Sequence, residues 1–152
     1  MPKRIALLAT GGTIACTETD QGLVPTLTAA QLLEPIADSL PCTVLPQDVF
    51  RMDSSNMQPE EWSTLARAVD RAVADCDGVV ITHGTDTMAY TASALSFMLA
   101  GIPKPVILTG SQLPLFHPLT DARGNLRRAV AAATLGMPGV YVSFDYKLIS
   151  GV

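Results

Sequence analysis

The amino-acid sequence predicts an α/β fold, with a mostly parallel sheet covered by helices on both faces. Short apolar runs closed by turn residues recur along the chain, and segments with helical periodicity separate them. Hydrophobic residues make up 48% of the sequence, as expected where strands are buried on both faces. The length of 152 residues is that of one ordinary domain. We therefore expect residues 1–152 to form a single unit.

Five strands are predicted from the apolar runs. The first run ends at Gly11 and Gly12, and a short apolar run closed by glycines is typical of a buried strand followed by a tight turn. The predicted strands are residues 5–9, 43–50, 79–82, 106–108 and 140–144.

Four helices are predicted between these strands. Thr28 and Gln31 have the spacing of a capping box, which opens a short helix that Pro41 ends. Pro59 suits the first position of the next helix, and its apolar stripe includes Trp62, which we place in the core. The remaining two helices are predicted over residues 88–99 and 121–135.

Residues 15–27 form a long polar connection without periodicity, and Gly22 and Pro25 lie within it. Connections of this length in a compact domain are often functional. We predict a lid that is mobile when no ligand is bound.

Composition argues against several classes of protein. The formal net charge is −4 and the basic residues are scattered, so we expect no nucleic-acid partner. The three cysteines are far apart and form no CxxC motif, which argues against a disulfide framework or structural zinc and suits the cytoplasm. Two distant histidines make a poor metal site, and no segment approaches membrane-spanning length. We therefore expect no metal, no cofactor and no membrane association.

The turns that follow four of the strands share a polar composition. Their sequences are TGGT, DSSN, HGTDT and TGSQ, at residues 10–13, 53–56, 83–87 and 109–112. All the strands of a parallel sheet end at the same edge, so these turns are expected to converge there, where ligands bind in open α/β sheets. No glycine-rich phosphate motif with a lysine is present, and the predicted crevice is rich in hydroxyl groups.

A small zwitterion such as an amino acid matches this crevice. The N–H groups of a helix that begins near Thr87 suit a carboxylate. Asp86 offers a negative charge to an ammonium group, and Ser54 and Ser55 add small hydrogen-bonding groups.

Thr13 is the candidate nucleophile, because the first turn presents its hydroxyl at the predicted crevice. Attack on an acyl carbon would give an acyl-enzyme that water hydrolyses. The hydroxyl needs a nearby base, and backbone amides of the glycine-rich turn could bind the developing oxyanion. The alternative is that Thr10 and Thr13 merely bond the amides of their own turn.

Two segments resemble the signature segments of the L-asparaginase family: TGGTI at residues 10–14 and HGTDT at residues 83–87. The stretches MDSSNMQPEEW (52–62) and HGTDTMAYTASALSFML (83–99) are most similar to the cytoplasmic type I bacterial branch. The resemblance covers residues 1–152 as the N-terminal domain of the family. It implies a flavodoxin-like fold, a second, smaller C-terminal α/β domain that this chain lacks, and assembly as a homodimer or homotetramer.

The resemblance also implies a role for each matching residue. Thr13 corresponds to the acylated nucleophile, and Thr85 to a second essential threonine that acts with Asp86 and a lysine. Asp86 also contacts the α-ammonium group of L-asparagine. The remaining substrate contacts are assigned to three serines: Ser54 and Ser55 at the carboxylate, and Ser111 at the side-chain carboxamide.

Two departures from the family pattern follow. The family's lysine lies beyond the strand that matches residues 140–144 and a further short segment, and Lys147 is too early to match it. The family's lid carries a tyrosine, whereas residues 15–27 contain none and Leu23 stands at that place. We therefore expect that residues 1–152 are truncated at the C-terminal end and are inactive by themselves.

These observations are consistent with three functions. The first is hydrolysis of L-asparagine to L-aspartate and ammonia. The second is the asparaginase-like subunit of a tRNA-dependent amidotransferase, and the third is a non-catalytic domain that binds an amino acid.

The two histidines are not predicted to act in catalysis. His83 and His117 have no accompanying G-x-S-x-G motif, which argues against a serine hydrolase triad. We expect His83 to hold its strand-end turn through backbone hydrogen bonds. Asp121 and residues 123–125 are expected at the start of a helix, where they could also close the rim of the crevice.

Overall fold

The central feature of the computed structural model, which describes residues 1–152, is a six-stranded sheet in the order β4-β1-β5-β6-β7-β8. The first five strands of that order are parallel, and β8 pairs with β7 in the antiparallel sense. This confirms the predicted mostly parallel sheet. The strands are β1 (Arg4–Gly11), β2 (Cys16–Thr19), β3 (Gly22–Pro25), β4 (Thr43–Met52), β5 (Gly78–Thr82), β6 (Pro105–Thr109), β7 (Gly139–Phe144) and β8 (Lys147–Ser150).

Helices cover both faces of the sheet and divide the core in two. Alternate side chains of β1 enter opposite halves: Leu7 packs in the cluster that holds Leu32 and Leu126, and Leu8 in the cluster that holds Leu65. The helices are α1 (Ala29–Leu33), α2 (Pro59–Asp75), α3 (Met88–Met98) and α4 (Ala122–Ala133), with single 3₁₀ turns at Thr13–Ala15, Ala37–Ser39 and Ser54–Asn56. None of the helices has both the length and the apolar character needed to cross a bilayer.

The first helix begins as predicted but is shorter. The Thr28 side chain accepts from the Gln31 N–H, and the Gln31 side chain accepts from the Thr28 N–H, which forms the capping box. The helix ends at Leu33 rather than at Pro41. Pro35 lacks the N–H that would continue the hydrogen-bond ladder, so the earlier proline ends the helix.

The prediction of an aperiodic connection at residues 15–27 was wrong. Strands β2 and β3 form an antiparallel hairpin in which Thr17 pairs with Val24. Gly22, whose φ is 93°, closes the turn of the hairpin. Pairs of side chains that lie opposite each other on the two strands stabilise such a hairpin. The base of the segment is fixed by the buried Leu27. Mobility of the hairpin stays a prediction.

Strand β8 was missed because its turn has an atypical sequence. Asp145 and Tyr146 join β7 to β8, and both have φ of 52°. Two-residue hairpin turns of this kind require positive φ at both positions, which favours Asn-Gly or Asp-Gly. The Arg128 guanidinium stacks on the Tyr146 ring, 4.1 Å from its centroid, and supports the strained turn.

Replacement of Thr28 tests the contribution of the capping box. We expect Thr28→Ala to lower the free energy of unfolding by about 1 kcal/mol, because an N–H of α1 loses its acceptor. Thr28→Ser is the matched control and keeps the hydroxyl. Denaturant unfolding of the two variants is the measurement, and an equal loss in both would contradict the capping role.

Candidate active site

Gly12 and Gly84 let the loops that follow three of the strands pack closely against one another. Gly11 and Gly12 have φ of 100° and 79°, and the Gly12 N–H donates to the Met52 carbonyl over 3.0 Å. A Cβ on Gly12 would overlap the backbone of Gly84 and lie 2.5 Å from its Cα. A Cβ on Gly84 would in turn lie 2.5 Å from Ser54 Oγ. Only glycine fits at both contacts, so the loops after β1, β4 and β5 are locked together.

A crevice of about 250 Å³ opens where these loops meet. It brings together Thr13, Ser54, Thr85 and Asp86, which confirms that their turns converge at one edge of the sheet. The lining residues are Gly12, Thr13, Cys16, Leu23, Val24, Pro25, Asp53, Ser54, Gly84, Thr85 and Asp86.

The β4 and β5 loops are joined by a hydrogen bond at the crevice. The Thr87 hydroxyl donates to the Ser54 carbonyl over 2.9 Å, and Ser54 is only 2% exposed. Thr87 is the N-cap residue of α3 but makes no side-chain capping bond. The backbone N–H of Thr85 has no acceptor within the protein. This N–H and the first amides of α3 are therefore available to an anionic group.

Two of the predicted contact residues do not line the crevice. Ser55 is exposed, and its N–H and hydroxyl both donate to Asp53 Oδ1 over 2.9 Å. Ser111 is 1% exposed, and its hydroxyl donates to the Leu113 carbonyl over 2.6 Å. Their predicted contacts with substrate require these hydroxyls to exchange partners.

The loop that carries Ser111 is held by the start of α4. Both Asp121 oxygens accept from the Gln112 N–H, and Asp121 Oδ1 also accepts from the Leu113 N–H over 3.1 Å. The buried Asn125 donates to the Gly110 carbonyl over 2.9 Å. The Asp121 side chain thus caps this loop rather than its own helix.

Asp53 was predicted at the crevice only as part of the turn at residues 53–56 and was not named as a contact, and Cys16 was not predicted there at all. The position of Asp53 before the 3₁₀ turn Ser54–Asn56 could have drawn attention to it. Burial, followed by the nearby Asp53 charge, raises the pKa of the Cys16 thiol, whose Sγ lies 3.4 Å from the Gly12 carbonyl. The thiol is therefore protonated and inert at neutral pH.

The hairpin β2–β3 forms one wall of the crevice through Leu23, Val24 and Pro25. Leu23, at the place where the resemblance calls for a tyrosine, is 57% exposed. Its side chain offers only apolar contact, so this position supplies no hydroxyl to the Thr13 side of the crevice.

Negative charge dominates the lining of the crevice. Asp53 and Asp86 contribute two carboxylates, and no lysine, arginine or histidine is among the lining residues. A ligand with an ammonium group is favoured there, whereas a phosphate is not.

His83 lies beneath the crevice rather than in it. It is fully buried, its backbone N–H donates to the Thr109 carbonyl over 2.9 Å, and its Nδ1 lies 2.6 Å from the Gly84 carbonyl oxygen. Burial lowers the pKa of the imidazole, and the hydrogen bond to Gly84 partly opposes this shift. The expected role in holding the strand-end turn is confirmed by these contacts.

The fold and the crevice define an α/β domain with a polar small-molecule site at the carboxyl ends of its parallel strands. Comparison with known proteins identifies the family. The family model described as "Asparaginase, N-terminal" matches residues 4–152, and the chain belongs to this family.

Curated relatives agree with this assignment. The L-asparaginase of Thermococcus kodakarensis is 46% identical over 97% of this chain, and L-asparaginase 1 of Escherichia coli K12 is 41% identical over 98%. One subunit of the glutamyl-tRNA(Gln) amidotransferase of Archaeoglobus fulgidus is 41% identical over 95%. The match covers 46% of each of the two asparaginases and 37% of the amidotransferase polypeptide. The chain therefore spans about half the length of the asparaginases it matches.

Solved structures share the fold. The thermostable L-asparaginase from Thermococcus kodakarensis superposes with a TM-score of 0.91 and 46% identity, over 97% of this chain and 46% of that one. The probable cytoplasmic L-asparaginase from Campylobacter jejuni gives a TM-score of 0.82 and 36% identity, over 98% and 46% of the two chains.

The loop contact at Gly12 can be tested against a glycine in open space. We expect Gly12→Ala to lower the free energy of unfolding by about 3 kcal/mol, because strained φ and backbone overlap add. Gly101→Ala is the matched control: its φ is 81° but nothing lies within 4 Å. Gly101→Ala should lower the free energy of unfolding by only about 1 kcal/mol. Equal losses, measured by denaturant unfolding, would refute the contact.

The buried His83 predicts a pH dependence of stability. Because its pKa is lowered on folding from 6.5, the unfolded chain binds more protons between the folded pKa and 6.5. Stability should therefore fall as the pH drops below about 6.5. His83→Asn should flatten this dependence, whereas His117→Asn, at the exposed histidine, should retain it. Thermal unfolding between pH 7 and pH 5 checks this, and an unchanged slope in His83→Asn would contradict it.

Proposed function

We propose that the protein hydrolyses the side-chain amide of L-asparagine to give L-aspartate and ammonia. The observation that carries the proposal is the presence of Thr13, Thr85 and Asp86 in one crevice. The names of the relatives that match 97–98% of the chain support the same activity.

The proposed reaction proceeds through an ester with Thr13. Its Oγ attacks the carboxamide carbon, the C–N bond breaks, and the proton leaves with ammonia. Water then hydrolyses the ester and restores the hydroxyl. The free N–H of Thr85 is a candidate donor to the oxyanion that forms at each step.

Activation of Thr85 is assigned to Asp86 and a lysine, as the resemblance implies. None of the lining residues is a lysine. We therefore propose that residues 1–152 are the nucleophile-bearing N-terminal domain, and that the lysine comes from outside them.

Charge and hydrogen bonding orient the proposed substrate. Asp86, together with Asp53, attracts the α-ammonium group, and Ser54 binds the α-carboxylate. We keep Ser55 as a further contact to the carboxylate and Ser111 as a contact to the carboxamide. Both would have to release their present partners.

A second candidate is the asparaginase-like subunit of a tRNA-dependent amidotransferase. The 41% identity to the amidotransferase polypeptide of Archaeoglobus fulgidus favours it. Turnover that requires a partner protein and charged tRNA would select this function. The third candidate, an amino-acid-binding domain, is favoured by the absence of lysine from the lining, and calorimetry that detects asparagine binding without hydrolysis would select it.

The cellular location, oligomeric state and partners that we propose are those that the composition and the family resemblance imply. We propose a cytoplasmic homodimer or homotetramer that needs no metal or cofactor and has no nucleic-acid or membrane partner. The cytoplasmic description of the Campylobacter jejuni neighbour supports the location.

Replacement of the nucleophile in the full-length protein, which supplies the lysine, tests the proposal. We expect Thr13→Ala to reduce ammonia release from L-asparagine by about a thousandfold or more, because no acyl-enzyme can form. Thermal unfolding should be unchanged, since Thr13 is only half-buried. Thr64→Ala, at an exposed threonine of α2, is the control and should keep wild-type turnover. Undiminished turnover in Thr13→Ala would remove Thr13 as the nucleophile.

A further inference from the structure

A chain of three hydrogen bonds connects helix α2 to the loop that carries Thr85. The Trp62 indole N–H donates to Thr91 Oγ1 over 2.9 Å, and Thr91 Oγ1 lies 2.8 Å from His83 Nε2. His83 Nδ1 lies 2.6 Å from the Gly84 carbonyl oxygen. Thr91 and His83 are fully buried, and Trp62 is half-buried at the outer end. We call these three side chains the relay.

Only one arrangement of protons satisfies every group of the relay. The Gly84 carbonyl can only accept, so His83 Nδ1 carries a proton and donates. In the neutral imidazole Nε2 is then an acceptor, which requires the Thr91 hydroxyl to donate to it. The Trp62 indole can only donate and uses a lone pair of the same hydroxyl. The opposite tautomer would place a lone pair of Nδ1 against the Gly84 oxygen.

The relay determines the orientation of one peptide group. The Gly84–Thr85 peptide is trans, so the Thr85 N–H is directed opposite to the Gly84 carbonyl and away from His83. Glycine allows many backbone conformations, and without the imidazole the Gly84 carbonyl would lose its hydrogen-bond donor. The N–H whose direction is set in this way is the one without an acceptor, beside the crevice.

We infer that Trp62, Thr91 and His83 are positioning residues that hold the Gly84–Thr85 peptide in the orientation the reaction requires. This inference rests on the proposed function of the crevice. It gives Trp62 a second role besides packing on the apolar stripe of α2. None of the three lines the crevice, so they act through Gly84 and Thr85.

In the full-length protein, the central variant is Thr91→Val, which keeps the shape of the side chain but removes both hydrogen bonds of the hydroxyl. We expect kcat to fall about tenfold, because buried groups of Trp62 and His83 lose their partner. KM should change less than about twofold, since the proposed contacts to the substrate's ammonium and carboxylate groups remain. A change in KM with kcat unaltered would contradict the positioning role.

Three further variants make the result specific. Thr91→Ser keeps the hydroxyl and should restore kcat to within about twofold of wild type. Ser96→Ala, in the same helix, removes a hydroxyl that bonds only the Ala92 carbonyl and should change nothing. If Thr91→Val does not fold, Trp62→Phe removes the indole N–H and should lower kcat by a smaller factor.

Nuclear magnetic resonance separates the relay from the proposed activity. We expect His83 to be protonated at Nδ1 and not at Nε2. The Thr85 amide resonance should be single in the wild type and doubled or broadened in Thr91→Val. An Nε2-protonated His83, an unchanged Thr85 resonance or an unchanged kcat in Thr91→Val would overturn the inference. A full-length wild-type protein that shows the expected resonances but releases no ammonia from asparagine would instead overturn the proposed function.

Discussion

The backbone contact between Gly12 and Gly84 is the constraint on which the rest of the crevice depends. It brings the loop after β1 so close to the loop after β5 that no side chain fits between them. Thr13 and Thr85 are the next residues along the two loops, so the contact places both at the same crevice. Ser54 completes the packing from β4, because its hydroxyl fills the space that a Cβ on Gly84 would need. The close packing of these three residues therefore places Thr13 and Thr85 at the crevice.

Hydrogen bonding then separates structural polar groups from those that remain free. Asp121 and Asn125 use their side chains on the β6 loop, and the hydroxyls of Ser55 and Ser111 already have acceptors within the protein. The Thr85 N–H has none, although it lies beside a crevice lined with hydroxyl and carboxylate groups. Buried polar groups are normally paired within a folded protein. A free donor at a crevice is therefore the part of the site best suited to meet a ligand.

Much of the architecture was predictable because the signals were local. All five parallel strands were predicted from short apolar runs, and the capping box of α1 from two residues. The hairpin at residues 15–27 was missed because each of its strands has only four residues, too few to show a periodic pattern. Strand β8 was missed because its turn, Asp145 and Tyr146, lacks the usual glycine and depends on Arg128 from a distant helix. Trp62 was assigned to the core from its spacing, which carries no information about the partner of its indole N–H.

The sequence by itself determined the α/β class, the strand-end turns and the family, since each rests on residues that are adjacent or regularly spaced. Only the tertiary structure decided which polar groups line the crevice and which are engaged elsewhere. Asp53 and Cys16 line it, whereas Ser55 and Ser111 do not. The reason is physical: the direction of a side chain at a strand end depends on hydrogen bonds to residues far away in the sequence. Such partners become neighbours only when the sheet has formed.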